Sequence, residues 1–157
     1  MEIQKKSDTA DINLNMHGQS VTLGEKQSNE VNIKLNEKPV WNFNLDVGAA
    51  SIDLDLTKFK IGEISLDGGA SSIDLKLGTL NDKTNLDFET GASSITIRIP
   101  KEAGCELKSN TFMTSRNIEG FSKIESGLYQ TPNYSTSKQK ITINIESAIS
   151  SLDIERY

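Results

Sequence analysis

The sequence predicts an all-β fold built from stacked repeats, a right-handed β-helix-like roll, and three observations carry that reading. The first is a motif, ISLDGGASSIDLKL from Ile64, which recurs as FNLDVGAASIDLDL from Phe43, LDFETGASSITIRI from Leu86 and, degenerate, INIESAISSLDIER from Ile143. Self-similarity at periods of about 20 to 50 residues marks architectures in which each unit buries its face on the next. The second is strict alternation of apolar and polar residues inside each copy, the period of a strand. The third is regular spacing: the corner glycines Gly48, Gly69 and Gly91 lie 21 and 22 residues apart. A two-sheet β-sandwich, with successive strands meandering antiparallel, is the alternative. Recurrence of the motif in one chain direction, corner intact, favours the roll.

Taken in order, the first ten residues are polar and expected to fray. Ile12, Leu14 and Met16, then Val21 and Leu23, alternate as a short strand pair about the turn HGQS, and the loop GEKQSNE follows. Val31, Ile33 and Leu35 alternate again before NEKP breaks the run. Residues 1–37 are thus read as lead and capping strands, and 38–157 as the repeat domain, together one compact unit. Trp41 shares the inward parity of Phe43 and Leu45. Within the first copy Phe43, Leu45, Val47 and Ala49 share one parity, and Ile52, Leu54 and Leu56 the other. A strand that changes its buried face must bend, so each copy is strand, corner, strand, the switch falling between Ala49 and Ile52, Ala70 and Ile73, Ala92 and Ile95, and Ile149 and Leu152. Glycine there supplies either a positive φ or room for a close backbone; Ala148 in copy four speaks against an obligatory positive φ. After Pro100 a long excursion runs to Lys140, carrying Phe112, Phe121, Tyr129 and Tyr134. An ordered loop of that length packs on something. ITINIE from Ile141 then rejoins the stack.

Composition narrows the function. Hydrophobic residues make up 35% and charged residues 25%, with a net charge of -5. That balance lacks the basic patch that nucleic-acid binding requires. No apolar run reaches the roughly 18 residues of a spanning helix. MEIQKK lacks the basic-then-apolar order of a secretory signal, so the chain is expected to be soluble, either a cytosolic protein or an excised piece of a longer one. Cys105 is the single cysteine; it alternates with Leu107 and reads as a buried strand residue.

Two patterns invite a chemical reading. Ser71-Ser72, Ser93-Ser94 and Ser150-Ser151 recur beside the corners, yet the only histidine, His17, cannot serve as base to several repeated serines. Corner hydrogen-bond ladders are the expectation, with Ser51, Ser72, Ser94 and Ser151 as structural corner residues beside Gly48, Gly69 and Gly91. Asp46, Asp67, Glu89 and Glu146 share one repeat position, and Asp53, Asp74 and Asp153 another, where copy three has Thr96. Calcium could bind such a ladder. The favoured reading is a solvated outer face, because Asp55 aligns with Lys76 and then with Arg98, and no metal or cofactor is expected. The aromatics Phe112, Phe121, Tyr129 and Tyr134 either plug the core or form a surface that docks a protein partner.

The G-A-S-S-I-D-L corner, the run SSITIRIPKEAGCELK from Ser93, and GFSKIESGLYQTPNY ahead of ITINIESAISSLDI resemble the bacterial toastrack domain. That domain occurs in LiaF-like cell-wall-active antibiotics response proteins and in related candidate adhesins. The resemblance covers about residues 38–157. It implies a cell-envelope-associated β-domain, in some members a regulator acting on a sensor kinase. With no active site expected from the residues and no spanning run in this chain, the expectation is a non-catalytic domain that contacts a membrane sensor or other envelope component without itself inserting into the membrane. The alternatives are a structural or adhesin-like module and, further off, a glycan-active enzyme.

Overall fold

In the computed structural model the described residues are 2–6, 9–13, 34–109, 115–147 and 151–157. The chain divides into two compact units, Met1–Lys34 and Leu35–Tyr157. In the first, β1 (Glu2–Lys6) and β2 (Thr9–Asn13) pair antiparallel, Glu2 opposite Asn13. This corrects the expectation of a frayed start: a hairpin is held by its backbone ladder, so polar strands suffice where an apolar count sees nothing. Leu14, Met16, the HGQS turn, Val21, Leu23, the GEKQSNE loop, Val31 and Ile33 lie outside the described residues.

The second unit is one ten-stranded sheet of repeated rungs. The first rung is β3 (Val40–Leu56) and the second β4 (Lys60–Leu77), each a single strand bent at its corner. The third is β5 (Lys83–Thr90) followed by β6 (Ser93–Ile99). All pair in parallel, motif on motif: Ile52 on Ile73 on Ile95, and Phe43 on Ile64 on Leu86. The antiparallel meander of the sandwich alternative is absent from these three rungs.

The excursion is not a loop. It contains β7 (Gly104–Ser109), β8 (Ser115–Ile118), β9 (Ser122–Glu125) and β10 (Leu128–Gln130). The C-terminal copy, β11 (Lys140–Ser147) and β12 (Ser151–Arg156), then inserts between strands already laid down. Strand β11 lies parallel between β5 and β7, and β12 parallel between β6 and β8. Strands β10 and β9 continue the sheet antiparallel from β7. The corner motif is missing from β7 and β8, which is why repeat counting passed over a fifth rung.

The inward columns form the core. Ile64, Leu86, Ile143 and Leu107 stack in one column, and Leu75, Ile97 and Ile154 in another, each at most 1% exposed. Burying an aliphatic side chain of this size contributes about 1.5–3 kcal/mol, so these columns hold the rungs together. The turn between the first two rungs is closed by the Asp55 carboxylate, which accepts from the hydroxyl and amide of Thr57 at 2.6 and 3.0 Å. Those hydrogen bonds, the hydroxyl's first, hold the Asp55 carboxyl below its ordinary value. At the same end of the rungs the Tyr157 hydroxyl donates to the Leu77 carbonyl at 2.6 Å, and burial raises the affinity of that phenol for its proton.

The face switch falls earlier than the alternation predicts. Ala49, Ala70 and Ala92 are exposed, while Ser71 and Ser93 are buried at 7% and 3% exposure. The inward step is therefore Val47 to Ala50, Gly68 to Ser71 and Thr90 to Ser93. Inside a bend there is room only for a small side chain, so size outranks polarity. The hydroxyls of Ser71 and Ser93 find no hydrogen-bond partner among the described residues. An unsatisfied buried hydroxyl costs about 1–3 kcal/mol. Ser93→Ala is therefore expected to stabilise the domain by about 1 kcal/mol, read as a raised denaturation midpoint at unchanged slope. The first rung already carries alanine in that column, Ala50 opposite Ser71.

Candidate interaction surface

Parallel stacking in register turns repeat positions into columns of side chains on the outer faces. On the first arm Asp46, Asp67, Glu89 and Glu146 stand in line on adjacent strands, all exposed. Strands about 4.8 Å apart spread these carboxylates along a line instead of around a point. No group of three or more His, Cys, Asp or Glu is placed to hold a metal ion among the described residues.

On the second arm five serines align: Ser51, Ser72, Ser94, Ser151 and Ser115. The hydroxyls of Ser94 and Ser151 lie 2.8 Å apart. Two positions along each strand come Asp53, Asp74, Thr96, Asp153 and Asn117. Beyond them stand Asp55, Lys76, Arg98 and Glu155. Arg98 ties these columns together. Its Nη1 pairs with Asp74 and its Nε donates to Glu155 at 2.9 Å. The Asp74 carboxylate beside it, more than Glu155, raises the affinity of the guanidinium for its proton. Asn117 Nδ2 donates to Asp153 at 3.1 Å. The alignment of Asp55, Lys76 and Arg98 was legible from the repeats; the reach of Arg98 across to Asp74 was not.

The corner glycines Gly48, Gly69 and Gly91 show no positive φ; among the described residues the positive-φ glycines are Gly120 and Gly127. Their role is close approach. A Cβ on Gly69 would lie 2.5 Å from the carbonyl oxygen of Gly48, and one on Gly91 would lie 2.6 Å from that of Gly69. A Cβ on Gly48 would meet nothing within 4 Å.

The aromatics of the excursion take different places. Tyr129 is buried in the core, 8% exposed, with the Arg116 guanidinium 4.5 Å over its ring. Phe121 packs against the core half-buried. Tyr134 is half-buried, with the Lys140 ammonium 5.0 Å from its ring centre and bonded to its carbonyl. Phe112 lies outside the described residues. Trp41 faces the core as expected, half-buried, stacked on Phe43 at 6.4 Å with its indole N–H on the Asn36 carbonyl at 2.8 Å. Next to Tyr129 an open groove of about 770 Å³ is lined by residues of β7, β9, β10 and β11 with Asp87 of β5 and Arg116 of β8. Its charges balance: Lys108, Arg116 and Lys123 against Asp87, Glu125 and Glu146. Nothing in the sequence pointed to Arg116, because β8 lacks the motif.

The single cysteine is poorly placed for nucleophilic chemistry. Cys105 is fully buried, and burial pushes its thiol far above the ordinary range, away from the reactive thiolate. Iodoacetamide at about pH 8 is expected to leave the folded protein unmodified and to alkylate Cys105 fully once denaturant opens the core, as read by intact mass. His17 lies outside the described residues.

The described residues of the second unit thus form a rung-stacked, all-β domain with patterned outer faces. The family model for the N-terminal domain of toast_rack, DUF2154, matches residues 1–98, more than half of the chain, and the chain belongs to that family. The match crosses the boundary between the two compact units. Among solved structures, the chain is similar to a candidate cell adhesion protein from Clostridium sporogenes, with 27% identity and a TM-score of 0.68. The similarity covers 78% of this chain and 58% of that one, so the chain spans little more than half the length of its structural relative. No curated protein matches the sequence. No helix among the described residues is long and apolar enough to cross a membrane.

Proposed function

We propose that this chain is a non-catalytic binding module of the bacterial cell envelope, working by protein-protein contact in a stress response of the LiaF-like kind. The observation that carries the reading is the outer surface: columns of Asp, Glu, Ser, Lys and Arg held in register by the backbone. Such a surface is rigid before it meets a partner, so little ordering entropy is lost on binding. The right-handed winding usual for parallel crossovers belongs to the same proposal. Family membership and the adhesion relative support a surface setting.

The test is affinity capture from a bacterial envelope extract with the purified chain, followed by reconstitution with whatever sensor is recovered. Recovery of a membrane sensor kinase that rebinds in pure form supports the regulatory role. Recovery of nothing, or of surface polymers alone, removes that role and leaves the adhesin-like module, which the Clostridium relative favours.

A further inference from the structure

We infer that the outer edge of β3 is a seat for an extended segment of a partner protein, which adds a strand in parallel register and so extends the stack by one rung. The inference rests on reading the chain as a binding module and names the site and the chemistry of its partner. Four features of β3 point to it.

The first is exposure. Strand β3 pairs with β4 along its whole length and, among the described residues, with nothing on its other side. Its inward residues Trp41, Phe43, Leu45, Ile52 and Leu54 are only partly buried. Their neighbours one rung down, Ile64, Leu66, Ile73 and Leu75, are exposed by 3% or less. Among the described residues the apolar columns therefore stop one layer short of closure at this end.

The second is length without a breaker. Natural edge strands are blunted by shortness, bulges, proline or charge, lysine above all. The 17 residues of β3, VWNFNLDVGAASIDLDL, contain no proline, lysine or arginine, and their only charges are Asp46, Asp53 and Asp55. A long edge of this kind can take an added strand whose charges answer those aspartates.

The third is Gly48. In the next two rungs the corner glycine makes room for the carbonyl of the rung before it. Gly48 keeps the same space, and a Cβ there meets no atom of the described residues within 4 Å. No contact among the described residues requires glycine at that position, and an incoming backbone would.

The fourth is charge. Asp46, Asp53 and Asp55 are exposed on β3 with no cation on the strand itself; Lys76 on β4 and Lys58 in the following turn act on Asp55. An added strand completes the pattern when it is apolar over Phe43, Leu45, Ile52 and Leu54 and basic beside the three aspartates. A second copy meeting edge to edge would instead place six carboxylates along one seam, which disfavours self-pairing.

The probe is a fluorescent 17-residue peptide matched to the length of β3. It carries isoleucine or leucine in register with the inward residues, glycine beside Gly48, and lysine beside Asp46, Asp53 and Asp55. Anisotropy should show saturable binding to the full chain that weakens with salt, and new amide-exchange protection should be confined to β3. A peptide with glutamate for lysine should bind at least about tenfold more weakly. Gly48→Val should also weaken binding at least about tenfold while leaving the melting temperature unchanged, which separates docking from folding. The proposal fails if neither peptide binds, if protection appears away from β3, or if Gly48→Val binds as wild type. It fails too if β3 amides are already protected in the chain alone. The occupant is then a second copy if the protein sediments as a dimer, and the chain itself if it sediments as a monomer. Envelope-partner binding that survives Gly48→Val removes β3 as the seat but leaves the binding-module reading intact.

Discussion

Valine at Gly69 is expected to lower the melting temperature sharply, and valine at Gly48 to leave it nearly unchanged. Both glycines occupy the same corner position, so local propensity treats them alike. Valine is favoured over glycine in a strand by about 1 kcal/mol at most, a small gain that both variants share. Neighbours separate them. At Gly69 the new Cβ would stand 2.5 Å from the Gly48 carbonyl oxygen, a backbone atom fixed by pairing along the whole of β3 and β4. Neither strand can yield without breaking the ladder, so the cost is set near the upper end for overpacking, about 3 kcal/mol. For a domain of this size that is a fall of about 6–12 °C. At Gly48 the Cβ enters open space. Differential scanning calorimetry of the two variants decides the matter. Equal shifts would remove the stacked arrangement of the corners. Ser115→Val is a second mild control: Ser115 is not in a loop but is exposed at the end of the serine column, on β8.

The sequence declared the rungs because the stack repeats its own chemistry. Ile73 sits on Ile95 and Asp67 on Glu89 because parallel pairing in register superposes equal positions, so aligning the copies amounted to reading the register. Legibility ended where the repeats ended. Strands β7 and β8 belong to the stack through pairing with β11 and β12, and that pairing joins residues remote in sequence, such as Leu107 with Ile143. Local pattern carries no sign of it. The corner lies two residues earlier than the alternation predicts, because Ala49, Ala70 and Ala92 look like the last inward residues of their strands whereas Ala50, Ser71 and Ser93, small enough for the bend, take the inward place. The aromatics were legible as residues that bury something but not as to where. Tyr129 takes its place opposite Leu107, through the antiparallel pairing of β10 with β7. Of the candidate surface, the acidic and serine columns could be read in advance. The bare edge of β3 could not, since an edge is defined by what fails to pair with it.

Ending the chain after Gln139 is expected to leave no stable second unit. Strands β11 and β12 are last in sequence yet central in the sheet, each flanked on both sides by parallel partners. Five of their residues, Ile141, Ile143, Ile145, Leu152 and Ile154, are exposed by 3% or less. At about 1.5–3 kcal/mol each, an upper estimate for burial, they contribute roughly 7–15 kcal/mol. That matches the whole net stability of an ordinary domain, about 5–15 kcal/mol. The truncated chain would also expose facing edges of β5 and β7, lined by Leu86, Phe88 and Leu107, and should bind hydrophobic dyes and aggregate. Because the vacated slot is shaped by strands on both sides, a synthetic peptide spanning residues 140–157 should re-enter it. The expected result is recovery of the β circular-dichroism signal at a one-to-one ratio and of Cys105 protection from iodoacetamide. A truncated chain that melts cooperatively near the wild-type temperature would show that the rungs stand without their central copy. It would locate the stability in β3 to β6 alone. Failure of the peptide to restore a truncated but soluble chain would mean that the C-terminal copy enters during folding and cannot be added afterwards. Contact topology favours re-entry: β11 is joined to β5 and β7 by backbone pairing and side-chain burial, both of which a separate strand can supply.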